Sequence, residues 1–291
     1  MVSKLYNTVI NSIKNYYYLT RLDRPIGTFL LLWPTLIALL FAGDGLIKTD
    51  LLIVFCLGTL FMRSAGCVIN DYFDQGFDKR VLRTSMRPIA AGLVSNKEAL
   101  VLFILLIFMS FLLLLFLNEK SLQIASCLIL IVIFYPLAKR FFKVPQFILG
   151  LAFSGGIPMA YAATLNELPA SSLLLFLGNY LWVIAYDTSY AMTDKRDDLS
   201  IGIGSSAIYF QGKEKKIIRL GSLSFMLIIF LLGLEEEINF FFYIGFFITS
   251  LYVIYLFNST DFKKEDSCLK FFKRNNWIGA LLFLTLITGL N

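Results

Sequence analysis

Leu51 to Asp78 reads LLIVFCLGTLFMRSAGCVINDYFDQGFD. Its first part, Leu51–Ile69, is apolar except for Arg63 and a few small or hydroxyl side chains. At about 1.5 Å per residue, such a run nearly covers a hydrocarbon core of roughly 30 Å. It ends abruptly in an amide and three carboxylates. A membrane-crossing helix delivering acids to one face of the bilayer is the simplest reading. Comparable apolar runs lie near Ile26–Ala42, Ala99–Leu117, Leu122–Leu137, Gln146–Thr164, Ser172–Met192, Ile217–Leu234, Ile238–Phe257 and Trp277–Leu290, giving nine candidate spans in all. The chain is 58% hydrophobic and only 16% charged, with a mean hydropathy of +0.74. A soluble domain of this size carries more charge. No linker or low-complexity tract interrupts the runs, so residues 1–291 are expected to form one all-α polytopic membrane domain.

The basic residues support this layout. With nine spans, 24 of the 26 Lys and Arg fall on one side, leaving Lys48 and Lys120 on the other with Glu235, Glu236 and Glu237. The positive-inside rule makes the basic side cytoplasmic, and with it the N-terminus and the acidic ends of two helices. The pI near 9.0 then follows from topology and calls for no nucleic acid partner. Residues Met1–Tyr18 lack the apolar core and cleavage site of a signal peptide. Leu5, Val9, Ile13 and Tyr16 recur at helical spacing, so residues 1–22 are expected to include an interfacial helix or a frayed tail. The chain has no histidine, which excludes His-ligated zinc, Ser-His-Asp triads and imidazole acid–base chemistry. Its four cysteines form no CxxC and read as small buried hydrophobes.

Chemistry concentrates in two acidic stretches. On a helical wheel Asn70, Asp71, Asp74 and Asp78 share a sector of about 100°. In Tyr186–Asp198, YDTSYAMTDKRDD, a continuous helix would bring Asp187, Asp194 and Asp198 within about 40° of one another. Stacked carboxylates repel, and acids near lipid are costly, so something must offset them. Histidine-free oxygen donors suit hard cations, above all Mg²⁺, which takes one or two carboxylates and completes its shell with water and phosphate oxygens. Two clusters facing each other would hold metals on either side of a diphosphate. A solvated loop balanced by Lys79, Arg80, Lys195 and Arg196 is the alternative. Asp74 and Asp194 are 120 residues apart, a layout that hints at an internal repeat. Arg83 and Arg87 follow the first cluster and suit bidentate phosphate contact, or else serve as basic topology anchors. Lys139 and Arg140 are open to the same two readings, or to binding an acidic acceptor.

At these residues the chain resembles the UbiA family of membrane prenyltransferases. NDYFDQGFD is similar to that family's NDxxDxxxD motif, and Asp194–Asp198 to its DxxxD motif. RPIGTFLLLWPT at Arg24–Thr35, RTSMRP at Arg83–Pro88, YPLAKR at Tyr135–Arg140 and IGIGSSAI at Ile201–Ile208 resemble its 4-hydroxybenzoate branch. Phe210-Gln211-Gly212 departs from that branch, which tends to have Phe-Gly directly. The resemblance implies nine transmembrane helices around a central cavity, capped on the cytoplasmic side by the acidic loops. It implies Mg²⁺-dependent transfer from a polyprenyl diphosphate to the carbon ortho to the hydroxyl of 4-hydroxybenzoate, in ubiquinone biosynthesis at a bacterial inner membrane. Asn70, Asp71, Asp74 and Asp78 are then expected to hold one metal, and Asp194, Asp198 and Asp187 a second. Asp71, Asp74, Asp194 and Asp198 would be the catalytic core. Arg83, Arg87 and Lys139 would bind diphosphate, and Arg140 and Arg24 the acceptor. Another acceptor on the same fold, such as haem or a menaquinone precursor, and a cation-coupled transporter are the competing expectations.

Overall fold

The computed structural model describes residues 2–81, 83–236 and 238–290, with the side chains of residues 2–9, 136, 137, 139 and 140 outside the description. It is 78% helix, and no strand occurs among the described residues. The elements are α1 (Val2–Leu19), α2 (Ile26–Ala42), α3 (Thr49–Asp78), α4 (Asn96–Leu114), α5 (Glu119–Phe141), α6 (Gln146–Ser154), α7 (Gly156–Leu165), α8 (Ala170–Ala191), α9 (Lys195–Ile201), α10 (Ser206–Tyr209), α11 (Glu214–Glu235), α12 (Phe240–Asn258) and α13 (Glu265–Leu290). Every apolar run read from the sequence falls on helix to within three residues at its ends, the run from Gln146 being divided at Gly155 between α6 and α7. Among the described residues, six helical stretches are long and apolar enough to cross a bilayer: α3, α4, α6 with α7, α8, α11 and α12. The helix Ile26–Ala42 is apolar but shorter, at 17 residues. Large side chains such as Val101, Phe108, Leu173, Leu227 and Phe247 stand exposed along these helices, as lipid-facing surfaces require.

The chain forms two compact units. The first comprises residues 1–28 and 56–116. Its core is Leu19, Val68, Ile89, Val94 and Ala99, with Tyr16, Tyr72 and Phe103 packed against it. The end of α1, the second half of α3, the segment after α3 and the start of α4 therefore share one apolar centre. Capping sharpens the start of α4. Ser95 Oγ accepts from the Glu98 amide, Glu98 returns a carboxylate to the Ser95 amide at 2.8 Å, and Tyr16 OH donates to Glu98 at 3.1 Å.

The second unit holds residues 29–55 and 117–291. α8 is its spine, packed by α6, α11 and α13. In lipid, helices associate through close backbone approach at small residues and through interhelical hydrogen bonds. Gly221 of α11 lies so near the Leu181 carbonyl of α8 that no Cβ fits. Trp182, fully buried, stacks on Phe225 at 4.6 Å and donates through Nε1 to Asn275 Oδ1 of α13 at 3.0 Å. Trp33 makes the same kind of bond to Asn276, at 2.8 Å. These tryptophan–asparagine bonds fix the rotation of α13 in a way that apolar packing alone does not.

Candidate active site

The first acidic stretch lies on the last turns of α3. The helix persists through Asp78, so Asp71, Asp74 and Asp78 share a face as the wheel predicts, and all three are buried, at 2%, 6% and 6% exposure. Carboxylates this buried need cations or donors. Arg87 supplies them from 9 and 16 residues away: its Nη1 donates to Asp78 at 2.9 and 3.0 Å and to Asp71 at 3.1 Å. The chain returns there because residues 79–81 and 83–92 wind into short turns. The Arg80, Val81, Thr84 and Arg87 amides donate in succession to the carbonyls of Phe77, Asp78, Val81 and Thr84. Thr84 Oγ1 ties the first of these turns to the Asp78 carbonyl at 3.1 Å, while Ile89 and Val94 anchor the last in the core.

A second cation on this group was not singled out from the sequence. Arg21 Nη2 donates to both oxygens of Asp71, at 2.6 and 2.9 Å. Arg21 terminates α1 with φ of 59°, a left-handed conformation uncommon outside glycine, and its Nη1 caps the Tyr18 carbonyl at 2.8 Å. In sequence it looks like one more basic residue ahead of a span; only the reversal after Leu19 aims it at Asp71. Arg63, two turns before the cluster on α3, lies against Gly27. A lone cation in an apolar run was the legible signal there. Arg24 is 76% exposed and pairs with its neighbour Asp23 at 3.1 Å, outside the Arg21–Arg87–carboxylate group. Arg83 is exposed, and Asn70 is half-buried on α3.

The second acidic stretch corrects the wheel. α8 ends at Ala191, and Met192–Asp194 form a turn in which the Thr193 and Asp194 amides donate to Tyr190 and Ala191. Asp187 thus belongs to α8, Asp194 precedes α9, and Asp198 lies within it. The polar run Thr193–Asp198 offers no apolar face to hold one helix in register, and Thr193 Oγ1 caps the Tyr190 carbonyl at 2.7 Å. All three aspartates are half-buried. Lys195 fixes the start of α9 through a 2.8 Å ion pair with Glu214 of α11. Lys139 and Arg140 lie on the last turn of α5, and their side chains lie outside the described residues.

Among the described residues no three Asp, Glu or Cys side chains converge as a ready-made metal cage. The donor set nonetheless fits magnesium. It is all oxygen, it is largely buried in the first unit, and Mg²⁺ asks for only one or two carboxylates, with phosphate and water supplying the rest. The guanidinium groups on Asp71 and Asp78 show that these acids are built to face positive charge.

The model of the UbiA prenyltransferase family matches residues 31–286. A 4-hydroxybenzoate octaprenyltransferase of Aliivibrio fischeri strain MJ11 is 47% identical over 93% of this chain and 94% of its own length. One from Shewanella denitrificans is 42% identical over 98% of both chains. Among solved structures, a UbiA homologue from Aeropyrum pernix K1 has a TM-score of 0.77 at 20% identity, covering 91% of this chain and 98% of that one. A homologue from Archaeoglobus fulgidus bound to GPP and Mg²⁺ has a TM-score of 0.71 at 17% identity, covering 94% and 99%. The chain belongs to the UbiA prenyltransferase family, as a multi-pass membrane protein.

Proposed function

We propose that this chain is a 4-hydroxybenzoate polyprenyltransferase of ubiquinone biosynthesis. It transfers a prenyl group from a polyprenyl diphosphate to the ring carbon ortho to the acceptor hydroxyl. The observation that carries the reading is the buried Asp71–Asp74–Asp78 face of α3 neutralised by arginine, in a chain 47% identical to a 4-hydroxybenzoate octaprenyltransferase. Asp71, Asp74 and Asp78, with Asn70, are the residues to hold one magnesium, and Asp194 and Asp198, supported by Asp187, to hold another. Bound there, magnesium would take up negative charge as the allylic C–O bond breaks. Arg87 and Arg83, with Lys139, bind the diphosphate oxygens, for which planar guanidinium is suited. Arg140 and Arg24 orient the acceptor carboxylate. The acceptor carbon forms the new C–C bond, diphosphate leaves with the electron pair of the C–O bond, and the ring proton passes to a carboxylate or to the departing diphosphate. No histidine is available for that step. The apolar bundle houses the prenyl tail and excludes water that would capture the allylic cation.

The same reading places nine helices across a bacterial inner membrane, with the acidic stretches cytoplasmic and α1 lying in the interface. Charge segregation supports the orientation. On α1, the exposed Ile10, Ile13 and Tyr17 stand opposite the buried Leu19, as an interfacial helix requires. Asp74→Ala and Asp194→Ala variants, expressed to normal level, are expected to lose turnover. Normal turnover by both contradicts the proposed roles.

A further inference from the structure

The second acidic stretch sits on a short helix, tied at its start by the Lys195–Glu214 ion pair. α9 has seven residues, no side-chain cap at Asp194 and no buried residue of its own. The chain just beyond it is held firmly, by buried polar groups from two other helices. The Ser206 amide donates to Gln146 Oε1, on the first residue of α6, at 2.9 Å. Ser206 Oγ shares a 2.9 Å hydrogen bond with Thr188 Oγ1 of α8, which also donates to the Ile184 carbonyl at 2.6 Å. Gln146 is 7% exposed, and Thr188 and Ser206 are 0%. Two residues earlier, Gly204 lies on the turn between α5 and α6, where a Cβ would come within 2.9 Å of the Phe142 carbonyl oxygen and 3.0 Å of that of Lys143. Both neighbours are backbone atoms and cannot move aside. That turn follows directly on Lys139 and Arg140. Apolar packing would hold these segments together without fixing their angle. A buried hydrogen-bonded set fixes direction as well as distance, and is costly if any member is left unmade.

We propose that Gln146, Thr188 and Ser206 form a positioning clamp: by fixing the chain that leaves α9, whose Gly202 and Ile203 amides donate to the Asp198 carbonyl, it holds Asp194 and Asp198 in the geometry that binds a divalent cation. The three residues touch no reacting atom; they act through the aspartates. The proposal rests on the metal-binding role given above to the second acidic stretch.

The test uses the full-length purified protein titrated with Mn²⁺ alone, with free manganese followed by electron paramagnetic resonance. The first acidic group on α3 provides an internal control, because the clamp's residues all belong to the second unit. In Thr188→Val one manganese site should weaken by about tenfold, the equivalent of one buried hydrogen bond, while the other keeps its half-saturation. KM for prenyl diphosphate should rise with it, while kcat at saturation stays within about threefold. Thr188→Ser, which restores the hydroxyl, should recover both values. Should Thr188→Val not fold, Ser206→Ala deletes the same hydrogen bond without added bulk and carries the same expectation. Unchanged manganese half-saturations in Thr188→Val or Ser206→Ala, with wild-type sites intact, overturn the clamp alone. A wild-type protein that binds no manganese overturns the metal reading on which it rests.

Discussion

Replacing Arg87 with leucine removes the cation shared by Asp71 and Asp78. Arg87 Nη1 stands 2.9 and 3.0 Å from the two oxygens of Asp78 and 3.1 Å from Asp71, and both acids are at least nine-tenths buried. Stripping one partner from a buried ion pair typically costs about 3–5 kcal/mol, because a desolvated charge is left behind. Asp71 keeps Arg21 at 2.6 Å, so the loss falls mainly on Asp78 and the lower end, about 3 kcal/mol, applies. At about 2–4 °C per kcal/mol, the melting temperature should fall by roughly 6–12 °C. The assay is thermal unfolding of detergent-purified protein in EDTA, so that no metal replaces the missing guanidinium. The diagnostic partner is Asp78→Asn. If the penalty is an uncompensated carboxylate, Arg87→Leu/Asp78→Asn should be more stable than Arg87→Leu alone, a coupling the single variants do not add up to. An Arg87→Leu protein melting within about 2 °C of wild type, or strict additivity in the double variant, refutes the reasoning.

Two further outcomes follow from the packing and the charges. Asn275→Leu strands the buried Trp182 indole N–H and removes the bond from Asn275 Nδ2 to the Phe271 carbonyl, so it should cost about 1–2 kcal/mol in thermal unfolding while leaving KM unchanged. Burial, and after it the charges of Asp44 and Glu235, push the Glu236 carboxyl above its ordinary value. Its folded state therefore holds the proton more tightly than the unfolded chain does. The resulting stability is present in full below the ordinary glutamate range and is lost as pH rises through the elevated value. Melting temperature should rise on acidification through that window, and Glu236→Gln should flatten the rise.

Much of this architecture is legible in the sequence, because lipid imposes a simple rule: apolar runs become helices whatever they pack against. The face shared by Asp71, Asp74 and Asp78 was readable for the same reason, since α3 continues unbroken past the apolar run. Legibility fails where the outcome depends on what lies across from a residue. Nothing in Thr193–Asp198 states that the helix stops at Ala191, since the capping of Tyr190 by Thr193 and the pull of Glu214 on Lys195 are settled only in the fold. Arg21 reads as a flanking charge until a left-handed turn points it at Asp71. The Trp182–Asn275 and Trp33–Asn276 pairs join residues 93 and 243 positions apart, a distance that no local pattern encodes. Gln146 and Ser206 are likewise unremarkable polar residues in sequence, and become a pair only when the turn after α5 meets the segment after α9.

Prenyl transfer to 4-hydroxybenzoate is open to one direct measurement. Membranes containing this chain are supplied with radiolabelled 4-hydroxybenzoate and a polyprenyl diphosphate, with Mg²⁺ in one arm and EDTA in the other. A lipid-soluble labelled product should form with Mg²⁺ and not with EDTA. Well-expressed protein that yields no such product with Mg²⁺, or yields it equally in EDTA, contradicts Mg²⁺-dependent prenyl transfer by this chain.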